Sequence, residues 1–148
     1  MYICTVIIII TIKIMNGRFQ IAMHIMTLLC KADEILSSDY MAGSININPV
    51  LVRKELSNLI HHQLIASREG KNGGYALAKP AKEISLASIY EAVKPNTVLG
   101  QAKNKPNPLC PIGKQINAHL QELELEVEQS MMRKLGNTSL ADFTNKFD

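Results

Sequence analysis

Apolar residues recur along this chain at two spacings, and the spacing assigns the elements. From Arg18 to Ala32 they fall at Ile21, Ile25, Leu28 and Leu29, one side of an amphipathic helix. Ser37-Ser38-Asp39 has the side chains of an N-cap region and starts a short second helix over Asp39 to Ser44. Ile45-Asn46-Ile47 turns the chain into a third helix that opens at Asn48-Pro49. The Asn48 side chain can accept a bond from a free first-turn N–H, and at Pro49 a missing N–H costs nothing. Val52, Leu56, Leu59 and Ile60 share one face of this helix, and Arg53, Lys54, Ser57, Asn58 and His61 the other. The pattern then shortens to a strand, Leu64-Ile65-Ala66-Ser67. Gly70-Lys71-Asn72-Gly73-Gly74 offers residues that tolerate positive φ for a tight reversal, and Tyr75-Ala76-Leu77 returns. Pro80 ends that strand, because proline cannot continue a ladder.

Ile84 to Val93 is a fourth helix, with Ser85 as its cap and Ile89, Ala92 and Val93 inward. Lys94 to Pro111, KPNTVLGQAKNKPNPLCP, holds four of the six prolines and reads as a loop. From Ile112 to Leu135 apolar positions resume at Ile116, Leu120, Leu123, Val127 and Met131. Leu125 and Met132 form a second stripe, and Glu122, Glu124, Glu126 and Glu128 face out. A helix of about 24 residues spans about 36 Å, more than a small domain needs for its own core. One stripe is expected on the parent domain and the other on a partner. Gly136-Asn137 stops the helix through a left-handed residue, and Thr138-Ser139 caps a short last helix through Phe143.

Two helices, a short turn and a basic third helix make a helix-turn-helix, and the glycine hairpin makes it a winged one. The fold class is mainly α with a small β-hairpin, plus a long C-terminal helix. In such a fold the third helix enters a major groove and the hairpin reaches the flanking backbone. The organisation reads as an apolar leader over 1–14, a winged helix-turn-helix over 15–94, a loop of the sensor type over 95–111, and a dimerisation helix with a short terminal helix over 112–148. The leader, MYICTVIIIITIKI, is too short for a membrane helix and has no basic region ahead of it. Three readings stand for it: an upstream start codon ahead of a natural start at Met15, a strand that pairs with a partner subunit, or a membrane anchor.

Composition sharpens this in two places. The net charge of +3 decides little, but Pro49 to Lys82 carries six Lys/Arg against two acids, +4 in one stretch. Such a patch neutralises phosphates. The three cysteines, Cys4, Cys30 and Cys110, are too few and too scattered for a disulfide scaffold or a four-ligand zinc site, and they suit a reducing cytosol. No metal site is expected; His61 and His62 are neighbours that point about 100° apart on a helix and cannot share an ion. Paired carboxylates, a nucleophile elbow and a P-loop are all missing, which argues against an enzyme.

The order of these motifs resembles the Rrf-two family of bacterial winged-helix transcriptional regulators, those of the IscR, NsrR and CymR type. The resemblance runs from Met15 to about Asn145 and is most specific in the wing, REGKNGGYALAKP over Arg68 to Pro80. The helix start NPVLVRK and the missing cluster ligands are most similar to the YwnA-like branch. The resemblance implies a homodimeric repressor joined through the long helix, at Ile116, Leu120, Leu123, Val127 and Met131, and bound to double-stranded DNA at an imperfect palindrome in a promoter. Carried over position by position, the reading surface is Asn48, Val50, Arg53, Lys54 and Asn58. The wing tip, Arg68, Lys71, Asn72 and Gly73, approaches phosphates or a minor groove. Ser37 and Ser38 at a helix N-terminus suit a phosphate, and Arg18 and Gln20 are further backbone candidates. IscR-like members have an acidic residue where this chain has Arg53, and arginine pairs with guanine, so the operator is expected to differ. Cluster-binding members place three cysteines in the loop before the long helix; here it has Cys110 alone, so no iron–sulfur cluster and no other cofactor is expected.

Two inputs stay open. Cys110, just ahead of a helix N-terminus, is either a thiol switch that releases DNA on oxidation or a small buried residue that plugs the helix end. A small-molecule effector would sit in an apolar pocket between the Ile84 helix and the long helix. The competing function class is a winged-helix module for protein–protein contact, and the charged face of the Asn48 helix speaks against it.

Overall fold

The computed structural model describes residues 17–32 and 34–147, so the leader and the Met15 start lie outside the described residues. Six helices and one hairpin follow in order: α1 (Arg18–Lys31), α2 (Ser38–Ile45), α3 (Pro49–His61), β1 (Ile65–Arg68), β2 (Gly74–Leu77), a 3-10 turn (Ala81–Glu83), α4 (Leu86–Val93), α5 (Ile116–Gly136) and α6 (Leu140–Thr144). α1 runs through the middle and packs against α2, α3, α4, α6 and β2. The centre is aliphatic and Met-rich: Ala22, Ile25, Met26, Met41, Val52, Leu59, Ile84, Ile89 and Leu140 are fully buried. With no Trp to fill space, flexible Met side chains close the gaps between helices.

The caps set where the helices begin. Ser37 Oγ accepts from Tyr40 N at 3.1 Å, Asn48 Oδ1 from Val50 N at 2.9 Å and Ser85 Oγ from Ser88 N at 3.1 Å. Ser139 and Asp142 form a reciprocal capping box on α6. The two helices of the helix-turn-helix, α2 and α3, end alike. Ile47 N bonds Ala42 O at 3.1 Å past Asn46 at φ 61°, and Leu64 N bonds Leu59 O at 3.0 Å past Gln63 at φ 58°. Both are left-handed exits without glycine, which a search of the chain for glycines does not find.

The hairpin pairs Ile65 with Leu77 and Arg68 with Gly74, antiparallel. Of its glycines only Gly70 takes positive φ, at 109°. Gly73 and Gly74 are required for close approach instead. A Cβ on Gly73 would lie 2.2 Å from Arg68 O, and one on Gly74 would lie 2.4 Å from Ile35 Cγ2. The second contact arises because the 35–36 segment joins the sheet, with Leu36 and Tyr75 exchanging bonds of 3.1 and 2.9 Å.

α5 corrects three expectations. It starts at Ile116, not Ile112, because Cys110 to Gln115 coils in separate turns and packs Gly113 so close to Asn107 that a Cβ would lie 2.5 Å from its carbonyl oxygen. It ends without a left-handed residue, since Gly136 is still helical and Asn137 has φ −83°. Glu124 and Glu128 do not face out. Glu124 accepts from the backbone N–H groups of Val98 and Leu99, and Glu128 accepts from Lys94 Nζ at 2.9 Å. That bond holds the Lys94 ammonium above its ordinary pKa. None of the 21 residues of α5 is buried. Ile60, expected inward on α3, is 36% exposed at the rim.

Candidate nucleic-acid interface

α3 turns one face to α1, α2 and α4 and the other to solvent. Val52, Glu55, Leu56 and Leu59 are buried, while Val50, Arg53, Lys54, Ser57 and His61 are exposed. Val50 is 61% exposed, an apolar contact of the kind that reads a thymine methyl. Arg53 leans towards Asp39 of α2 at 3.9 Å, a surface pair weak enough to yield to a base. Asn48 spends its Oδ1 on the cap and keeps its amide donors. Ser57 and His61 belong to this outward face although they were not among the expected contact residues. The signal was present in the sequence, since Ser57 lies three and four residues from Lys54 and Arg53, and His61 four residues beyond Ser57.

The structure redistributes other candidates. Asn58 is half-buried on the flank of α3, and its Nδ2 donates to Glu55 Oε2 at 3.0 Å. Arg18 points inward, with Nε donating to Glu55 Oε1 at 2.8 Å and Nη2 to Oε2 at 3.3 Å. Gln20 lies two residues on, across α1, at the edge of a hollow on the far side, so it and Arg18 do not form one surface. The Ser37 hydroxyl is occupied as the α2 cap, and Ser38 is half-buried in the first turn. At the wing tip Arg68, Lys71 and Asn72 are exposed, and among the described residues no acid pairs with Arg68 or Lys71, whereas Gly73 is there for its missing Cβ.

The loop ahead of α5 is tied down at one end by Lys94, Glu124 and Glu128, and at the other carries Cys110. Cys110 is exposed, so it does not plug the helix end. The N–H groups of Gly113 and Ile112 point at its sulfur and lower its pKa below the ordinary thiol value. Cys30 sits far away on α1, its sulfur 3.3 Å from Thr144 Oγ1. Among the described residues no three His, Cys, Asp or Glu side chains gather as metal ligands. A hollow of about 1070 Å³ opens along α1 and α6, and Leu86 of α4 and Leu135 of α5 also line it. No helix among the described residues is long and apolar enough to cross a membrane.

Comparison with known proteins agrees with this geometry. The Rrf2 family model, described as an iron-dependent transcriptional regulator, matches residues 15–146. The protein named HTH-type transcriptional regulator YwnA, of Bacillus subtilis, is 38% identical over 130 residues, covering 88% of this chain and 96% of its own. A crystal structure named as a transcriptional regulator from Lactobacillus plantarum superposes with a TM-score of 0.71 at 26% identity, covering 87% of this chain and 88% of its own. The structure of CymR, the global cysteine regulator of B. subtilis, gives a TM-score of 0.65 at 21% identity, with 88% and 95% covered, which bears on the fold alone.

Proposed function

The chain belongs to the Rrf2 family of DNA-binding transcriptional regulators, a family of non-enzymes, and from that premise we propose that it is a homodimeric cytoplasmic repressor that binds a palindromic promoter site without an iron–sulfur cluster. The observation that carries this is α5. It is 21 residues long with none of them buried, and Leu120 and Leu123 are 48% and 47% exposed. A helix of about 32 Å held along its C-terminal end by its own domain needs a second surface for the rest. A copy related by two-fold symmetry supplies it, and a two-fold protein reads a two-fold site. Arg53, Lys54, Ser57 and His61 then face the major groove, and Arg68, Lys71 and Asn72 the flanking backbone. A gel shift on the protein's own upstream region tests the reading. The expected result is salt-sensitive binding to a palindrome by a dimer, and absence of such binding to any palindrome would sink it.

A second reading concerns the signal. Cys110 is exposed, with two N–H groups aimed at its sulfur, the setting of a reactive thiol. In that reading its oxidation by peroxide or diamide releases DNA, and a Cys110→Ser protein that releases DNA as before ends it.

A further inference from the structure

Glu55 is a carboxylate in the apolar face of the DNA-reading helix, 3% exposed among Val52, Leu56 and Leu59. Its two oxygens hold Arg18 at 2.8 and 3.3 Å and Asn58 at 3.0 Å. Asn58 lies one helical turn from both Lys54 and His61, which are exposed on the outward face. The Arg18 guanidinium, its side chain 24% exposed, therefore rests against the flank of the surface assigned to DNA. An arginine at that edge is within reach of a phosphate, yet Glu55 cancels its charge. Handing Arg18 to a phosphate would leave a buried carboxylate with an amide as its only partner, which is strongly disfavoured.

We propose that Glu55 is an internal counter-ion that competes with DNA phosphate for Arg18 and so restrains the phosphate-driven affinity of the protein for DNA of any sequence. Phosphate neutralisation is independent of sequence, so withholding one cation in each protomer lowers binding to random DNA and to the operator by about the same factor. Glu55 itself touches no DNA and acts through Arg18. The inference rests on α3 being the DNA-facing helix.

The test is the salt dependence of binding by the full chain, measured by fluorescence anisotropy on its own upstream duplex and on a random duplex of equal length. Glu55→Gln is expected to steepen the slope of log K against log salt by about 0.9 per protomer and to raise affinity for both duplexes by a similar factor. The Arg18→Ala/Glu55→Gln double variant, which leaves no buried charge unpaired, is expected to return to the wild-type slope. A Glu55→Gln slope equal to wild type overturns the proposal. So does a double variant with a shallower slope than wild type, since Arg18 would then already be on a phosphate. Should Glu55→Gln fail to fold, Glu55→Leu, which fills the same buried position without a charge, carries the test, and a slope equal to wild type overturns the proposal. A wild type without salt-sensitive binding would instead defeat the DNA-facing reading itself.

Discussion

Replacing Leu120 and Leu123 together by alanine tests the dimer at its seam. Each leucine is about half exposed in the single chain, 48% and 47%, so a partner can still bury about half of each. Full burial of a leucine contributes about 1.5–3 kcal/mol, and half of it about 1 kcal/mol. Two residues from each of two chains make about 4 kcal/mol. At about 1.4 kcal/mol per tenfold, the dissociation constant should rise roughly 1000-fold. Alanine is the strongest helix former, so α5 keeps its helicity and the domain its fold, with unchanged far-UV circular dichroism as the control. Sedimentation velocity across nanomolar to tens of micromolar protein gives the readout. The wild type should stay dimeric over a range in which the variant is monomeric. A variant that dissociates at the same concentration as wild type, or a wild type that is monomeric throughout, would refute the placement of the interface on this stripe.

Other outcomes follow from single contacts. Gly74→Ala should lower the urea midpoint by the equivalent of about 1–3 kcal/mol, because its Cβ meets Ile35 Cγ2 at 2.4 Å and Leu36 O at 2.6 Å; an unchanged midpoint would mean that the hairpin moves freely off this segment. Arg53→Ala should change base preference at one position of each half-site in a binding-site selection, whereas Lys71→Ala should weaken all duplexes about equally and flatten the salt slope by about 0.9 per protomer. Cys110 should reach half its maximal alkylation rate by iodoacetamide at a lower pH in the folded chain than in urea, since the Gly113 and Ile112 N–H groups stabilise its thiolate; coincident pH profiles would remove that cause.

Much of the fold was legible locally. Asn48-Pro49, Ser85 and Ser139 are caps whose bonds reach only two or three residues along the chain, so their chemistry can be read in place. The inward faces at Val52, Leu56 and Leu59 and at Ile89, Ala92 and Val93 follow from helical spacing alone. The exposed basic side chains of the third helix and wing were legible too, since a lone Lys or Arg stays at the surface unless something is placed to pair it.

What the sequence could not show depends on residues far apart in the chain. Arg18 is turned inward by a carboxylate 37 positions away, and the same carboxylate draws Asn58 to the flank. Nothing in either local pattern separates a phosphate contact from one side of a buried ion pair. Glu124 and Glu128 looked like a solvated stripe until Lys94 and the N–H groups of Val98 and Leu99 were brought to them by the fold. In the sequence Gly73 and Gly74 read as residues that tolerate positive φ for a tight reversal, but the structure needs them for the space their missing Cβ leaves to Arg68 and Ile35. Periodicity and capping are short-range and survive in one dimension. Charge pairing and close approach are set by which elements meet, and only the tertiary structure decides that.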